Sequence, residues 1–101
     1  MQSIRRGTTP TVKFTTTVTQ SDVESIYITF EQDGETVVEK DGSSVVWNED
    51  GFTIHLSQNE TLGFKTGFAN VQIRAKLLAA QATATQILPV EIENVLKSGV
   101  I

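Results

Sequence analysis

The sequence contains no cysteine, a single histidine and two prolines among its 101 residues. Without cysteine there is no disulfide framework and no thiolate metal site. That absence fits a reducing compartment, or an assembly whose stability comes from association. One histidine is too few for an ordinary zinc site, which takes three or four protein ligands. Apolar runs are short. None approaches the roughly 18 consecutive apolar residues that cross a bilayer as a helix, and the N-terminus has no apolar h-region, so neither a membrane span nor a secretory leader is expected. Basic residues are scarce, eight against twelve acidic ones, and the net charge of −4 favours solubility and disfavours non-specific contact with nucleic acid. A chain of this length holds one domain, here 1–101, with one modest core.

The charge that is present is unevenly spread. Residues 1–19 carry Arg5, Arg6 and Lys13 and no acid. Residues 20–60 carry ten acids and one base, Lys40, whereas residues 61–101 carry four bases and two acids. An acidic middle between mildly basic ends reads first as a solvated surface, and second as a bias toward head-to-tail contact between copies.

What dominates the sequence is alternation with period two. Val12, Phe14, Thr16 and Val18 share one face of a strand, and so do Ile26, Ile28 and Phe30. Phe52, Ile54 and Leu56 follow the same rule, as do Val71, Ile73, Ala75 and Leu77, and then Leu88, Val90 and Ile92. Asp-Gly occurs at 33–34, 41–42 and 50–51, each time between apolar runs. Such pairs accept the positive φ angles of tight hairpins. The pattern predicts strands near 10–18, 25–32, 35–40, 44–48, 52–56, 69–78 and 83–93. Pro10 and Pro89 cannot donate to a ladder, which places both chain ends at sheet edges or at bulges.

One stretch departs from alternation. In "LSQNETLGF", Ser57 is a helix N-cap and Glu60, three residues on, completes a capping box. A single helical turn is expected near 57–63, ended by Gly63 or Gly67. A capped turn crossing between sheets late in the chain is a recurrent feature of immunoglobulin-like sandwiches. The fold class expected is therefore all-β: an immunoglobulin-like antiparallel β-sandwich of about seven strands, without the disulfide of antibody domains and with Trp47 on the fourth strand rather than the third.

No residue set reads as a catalytic constellation. His55 alternates outward between Ile54 and Leu56, with no motif for a serine nucleophile. Asp41, Glu49 and Asp50 lack the spacing of a calcium loop and read as turn chemistry. Glu91 and Glu93 share a strand face but have no second element to make a glycosidase cleft. Gly63 and Gly67 do not form a phosphate-binding spacing. Nucleic-acid binding would need a basic face with interleaved aromatics. Arg5 and Arg6 are followed only by scattered bases, so they read as a docking arm or a solvated lead-in. No catalytic, cofactor-binding or metal residue is assigned, and no cofactor, nucleic acid or membrane partner is expected.

The segments "IRRGTTPTVKF", "IYITFEQDGETVVEKD", "HLSQNETLGFK", "VQIRAKL" and "VLKSGVI" together resemble a family of small proteins of tailed phages and prophages, often encoded among virion structural genes. More loosely, the pattern is similar to the immunoglobulin-like domain at the start of phage baseplate upper proteins. The chain departs from the family in its penultimate hairpin, where "LLAAQATA" stands in place of an Asp-Gly turn. The resemblance implies a non-enzymatic virion-associated structural protein of the tail or baseplate, the head accessory set or the connector. Such a protein would be assembled in the host cytoplasm and contact other virion proteins or itself as a homo-oligomer. The interaction surface is expected on a flexible arm, 1–8, with Arg5 and Arg6, on Lys13 of the first strand, and on a tail, 96–101, ending in Val100 and Ile101. The alternatives are an adhesion or carbohydrate-binding module using Tyr27, Trp47 or Phe68, and an inhibitor of a host enzyme.

Overall fold

A computed structural model describes residues 2–79, 81–85 and 87–101. Among these residues, nine strands form two sheets. The larger sheet contains β1 (Ser3–Arg5), β9 (Leu88–Glu93), β7 (Gly67–Leu77), β3 (Val23–Gln32) and β4 (Glu35–Asp41), in that order, and β8 (Ala82–Ala84) pairs with β7 beyond the end of β9. The smaller sheet has the order β2 (Thr11–Thr15), β6 (Gly51–His55), β5 (Val45–Asn48). A helical turn, α1 (Gln58–Leu62), carries the chain from β6 in one sheet to β7 in the other. The strand order is that of an immunoglobulin-like sandwich, with β2, β6 and β5 in the places of B, E and D, and β3, β7, β9 and β4 in those of C, F, G and C′.

The core forms where the alternating sets face each other. Val12 and Phe14 of β2 and Phe52 and Ile54 of β6 meet Ile26, Ile28 and Phe30 of β3, Val71 of β7 and Val90 and Ile92 of β9. Two aromatic contacts fix their relative positions, Phe14 on Phe52 with ring centroids 5.2 Å apart and Phe30 edge-on to Phe64 at 5.8 Å. Not every expected inward residue is covered. Ile73 and Ala75 are only half-buried and Leu88 is exposed, because β7 runs on past the end of the shorter sheet.

Several expectations are corrected. The first is the arm: residues 3–5 are a strand, paired in parallel with β9 in the register Ser3 to Glu91, Ile4 to Ile92 and Arg5 to Glu93. Ile4 is 2% exposed and belongs to the core. The larger sheet is therefore mixed rather than antiparallel, and nine strands replace the expected seven. The strand expected over 10–18 stops at Thr15, and the one expected over 83–93 is two strands, β8 and β9. β9 is not an edge strand, since β1 covers it. Pro89 is tolerated because Glu91 donates its N–H to the Gln2 carbonyl on the β1 side. The missing N–H of Pro89, two residues earlier, falls on that same side before β1 begins.

Of the three Asp-Gly pairs, two make hairpins. Asp33 and Gly34 have φ of 54° and 81° and close a two-residue turn between β3 and β4. Asp50-Gly51 follows an Asx turn in which Asn48 Oδ1 accepts the Asp50 N–H. Asp41-Gly42 does something else. The Asp41 carboxylate accepts the Ser43 N–H and starts a 3-10 turn, Gly42–Ser44, that carries the chain between sheets.

Gly51 is required by packing as well as by dihedral angle. A Cβ built there would overlap the Phe14 carbonyl oxygen on the paired strand. Gly34 has open space around it and needs glycine only for its positive φ. Gly51→Ala should cost at least about 2 kcal/mol in urea unfolding, and Gly34→Ala about 1 kcal/mol. Equal losses would contradict the close approach of the two strands.

Candidate functional site

The expected interaction residues resolve into two groups with different fates. Arg5 lies opposite Glu93 across the β1–β9 pairing, and its guanidinium donates to Glu93 Oε2 at 2.8 Å and to the Asn94 carbonyl at 2.6 Å. Arg6 reaches across to α1, donating to the Leu62 carbonyl at 3.3 Å and to Asn94 Oδ1 at 3.4 Å, while its Nε is buried without a partner. Both side chains are thus used within the chain, stapling the β1–β2 crossover to α1 and to the segment after β9. Gly7, at φ +76°, lets this crossover pass close to Leu62 and Val95. Thr61 of α1, fully buried, donates its hydroxyl to the Thr8 carbonyl at 2.9 Å.

Lys13, Val100 and Ile101 remain outward. Lys13 is exposed on β2, an edge of the smaller sheet, and its main-chain carbonyl accepts the Gln2 side-chain N–H. Val100 is 57% exposed and Ile101 87% exposed, with Leu96 nearby in sequence fully exposed. The backbone beneath them is nonetheless fixed. Gln58, the first residue of α1, accepts the Ile101 N–H at 2.9 Å and donates to the Ile101 carbonyl at 3.4 Å.

α1 is the hub of this end of the molecule. Ser57 Oγ accepts the Glu60 N–H, and the Glu60 carboxylate accepts the Ser57 N–H at 2.8 Å, which is the capping box expected from the sequence. The same carboxylate pairs with Lys40 of β4 at 2.7 Å, in a partly buried setting. Burial pushes the Glu60 carboxyl up. The Lys40 ammonium and the Ser57 N–H and hydroxyl more than offset this and hold it below its ordinary value.

A second site was not legible in the sequence. At the opposite end, residues 15–20 and 47–50 line an open cleft of about 1070 Å³. Below it a smaller pocket of about 150 Å³ reaches between the sheets. Three successive threonines, 15–17, extend the alternating pattern, so nothing in the sequence marks the point where β2 ends and the cleft wall begins. Trp47 sits at the junction, half-buried against Phe52 with ring centroids 5.2 Å apart. Tyr27 and Phe68 are exposed, but on β3 and β7 of the larger sheet and not beside Trp47. His55 is exposed and shares a hydrogen bond with the Thr11 hydroxyl at 2.8 Å. Among the described residues no three His, Asp or Glu side chains stand close enough to hold a metal ion, and no helix is long and apolar enough to cross a membrane. Comparison with protein-family models, with curated proteins and with solved structures finds no match for this chain.

The Glu60 geometry predicts a pH dependence. Its folded-state value is lowered, so the stabilisation is fully present above the ordinary value of 4.5 and is lost as pH falls through the lower folded-state value. Lys40→Met should destabilise by roughly 1–2 kcal/mol at neutral pH and flatten the stability profile below about pH 4.5. An unchanged acid limb in urea titrations would show that the ion pair does not couple α1 to β4.

Proposed function

We propose that this chain is a non-enzymatic structural component of a tailed-phage or prophage particle, acting through protein–protein contacts at its sheet rims and chain ends. The observation that carries this reading is the tail: its backbone is anchored by Gln58 while Val100 and Ile101 project into solvent. A terminal backbone already bonded at Ile101 has less entropy to lose when a partner covers the apolar side chains beside it. The edge strands β1, β2, β4 and β5 add exposed ladder groups on both sides of the sandwich. The family resemblance of the N-terminal, helical-turn and C-terminal segments supplies the particle context. It leaves head accessory, connector, tail and baseplate positions as members of one class. The partners are other virion proteins or further copies of the chain, met during assembly in the host cytoplasm.

Light scattering over a wide concentration range should show a mass above the monomer, alone or with a particle protein. The paired change Val100→Ser and Ile101→Ser should weaken that association by two decades or more, since each buried aliphatic side chain contributes about 1.5–3 kcal/mol. Mass spectrometry of purified particles from the induced host should detect the chain. A strict monomer that is also absent from particles would overturn the reading.

A further inference from the structure

The two cavities at the Trp47 end form one stepped space. The inner pocket, about 150 Å³, lies where the larger sheet outruns the smaller one; Val18, Ile26, Phe52, Ile73, Ala75 and Trp47 give it apolar walls, and four threonines also line it. β8 flanks it through Thr83, which stands opposite Ala75 and shares its face. The outer cleft shares Thr15, Thr16, Val18 and Trp47 with the pocket and adds Glu49 and Asp50 at its rim. Neither carboxylate makes an ion pair among the described residues, and no base lines either space.

Each part of this space selects for a chemical feature. A space of this volume with largely apolar walls is large enough for a guest about the size of a benzene ring. Burying that guest between the sheets is favoured by the area it removes from water. The hydroxyls of Thr15 and Thr17 and the Asn48 amide N–H offer neutral hydrogen-bonding groups above the apolar floor, while Thr16, Thr19 and the Asn48 carbonyl already bond within the chain. The two carboxylates give the mouth a negative potential, which attracts a cation and repels an anion.

We propose that this stepped space binds a small amphipathic molecule whose apolar group, about one ring in size, fills the pocket between the sheets and whose cationic group stays at the Glu49–Asp50 mouth. The site lies at the opposite end of the sandwich from the tail, and it stands whether or not the chain assembles through Val100 and Ile101. Trp47, the only tryptophan in the chain, lines both spaces and reports on them.

The full-length chain is titrated with phenethylamine and, separately, with phenylacetate, which has a similar apolar group and the opposite charge. Trp47 fluorescence and the methyl resonances of Ile73, Ala75 and Thr83 are followed. Phenethylamine should shift all of these signals and bind several-fold more tightly than phenylacetate. Glu49→Gln with Asp50→Asn should remove on the order of a fivefold preference, the size of a water-screened charge contact, while apolar binding remains. Thr83→Leu, opposite Ala75 on β8 and on the same face of the sheet, should fill the pocket from its flank and abolish the shifts with the fold unchanged by circular dichroism. No shift with either compound, or shifts confined to residues outside the pocket, would overturn the site. Equal binding of the two compounds would overturn its preference for a cation.

Discussion

The two sheets differ in length, and that mismatch governs the rest of the molecule. Strands β2 and β6 have five residues and β5 has four, whereas β3 has ten and β7 eleven. At about 3.3 Å per residue the short strands span half the reach of the long ones or less, in a molecule measuring 47 by 25 by 20 Å. Two stacked sheets exclude water only where both are present. The inward faces of β3 and β7 must therefore be covered by something other than a sheet at one end or both.

The two ends meet this requirement differently. At one end α1 acts as a plug. Its buried Thr61, its Glu60–Lys40 pair and its contact with Arg6 join three segments that are distant in sequence. Gln32 helps close the same end, with its carboxamide bonded to the Lys65 N–H and carbonyl and the Phe68 carbonyl. At the other end, among the described residues, only the single 3-10 turns Gln20–Asp22 and Gly42–Ser44 join the sheets. Trp47, the segment after β2 and the small strand β8 only partly cover Ile73 and Ala75. One end is thus held by polar bonds with named partners, while the other is an apolar floor under a wide mouth.

The legible part of this fold was the part encoded locally. Alternation placed the central strands because period two is written in neighbouring residues. The Asp33-Gly34 hairpin and the Ser57–Glu60 capping box were legible because each needs only four consecutive residues. What escaped was encoded at a distance. "SIR" has a single apolar residue and becomes a strand only by pairing with residues 88 positions away. The arginine pair looked available because Glu93, Asn94 and the Leu62 carbonyl are far along the chain. Asp41-Gly42 has the composition of a hairpin, but the following turn leads to the other sheet, a choice set by where β5 finds its partner. The cleft was hidden for a related reason: it arises from one strand stopping early, and the threonines beyond that point keep the pattern of the strand.

The parallel pairing of β1 with β9 has a consequence for biosynthesis. β1 is synthesised well before β9 and can complete its ladder only once that strand has followed it. Until then the seat for Ile4 in the core is incomplete and the neighbouring rim of β2 has no anchored lead-in. Closing so long a loop is an entropic cost met late. Until β9 is made, the flank of the sheet that β1 is to cover has no partner from its own chain.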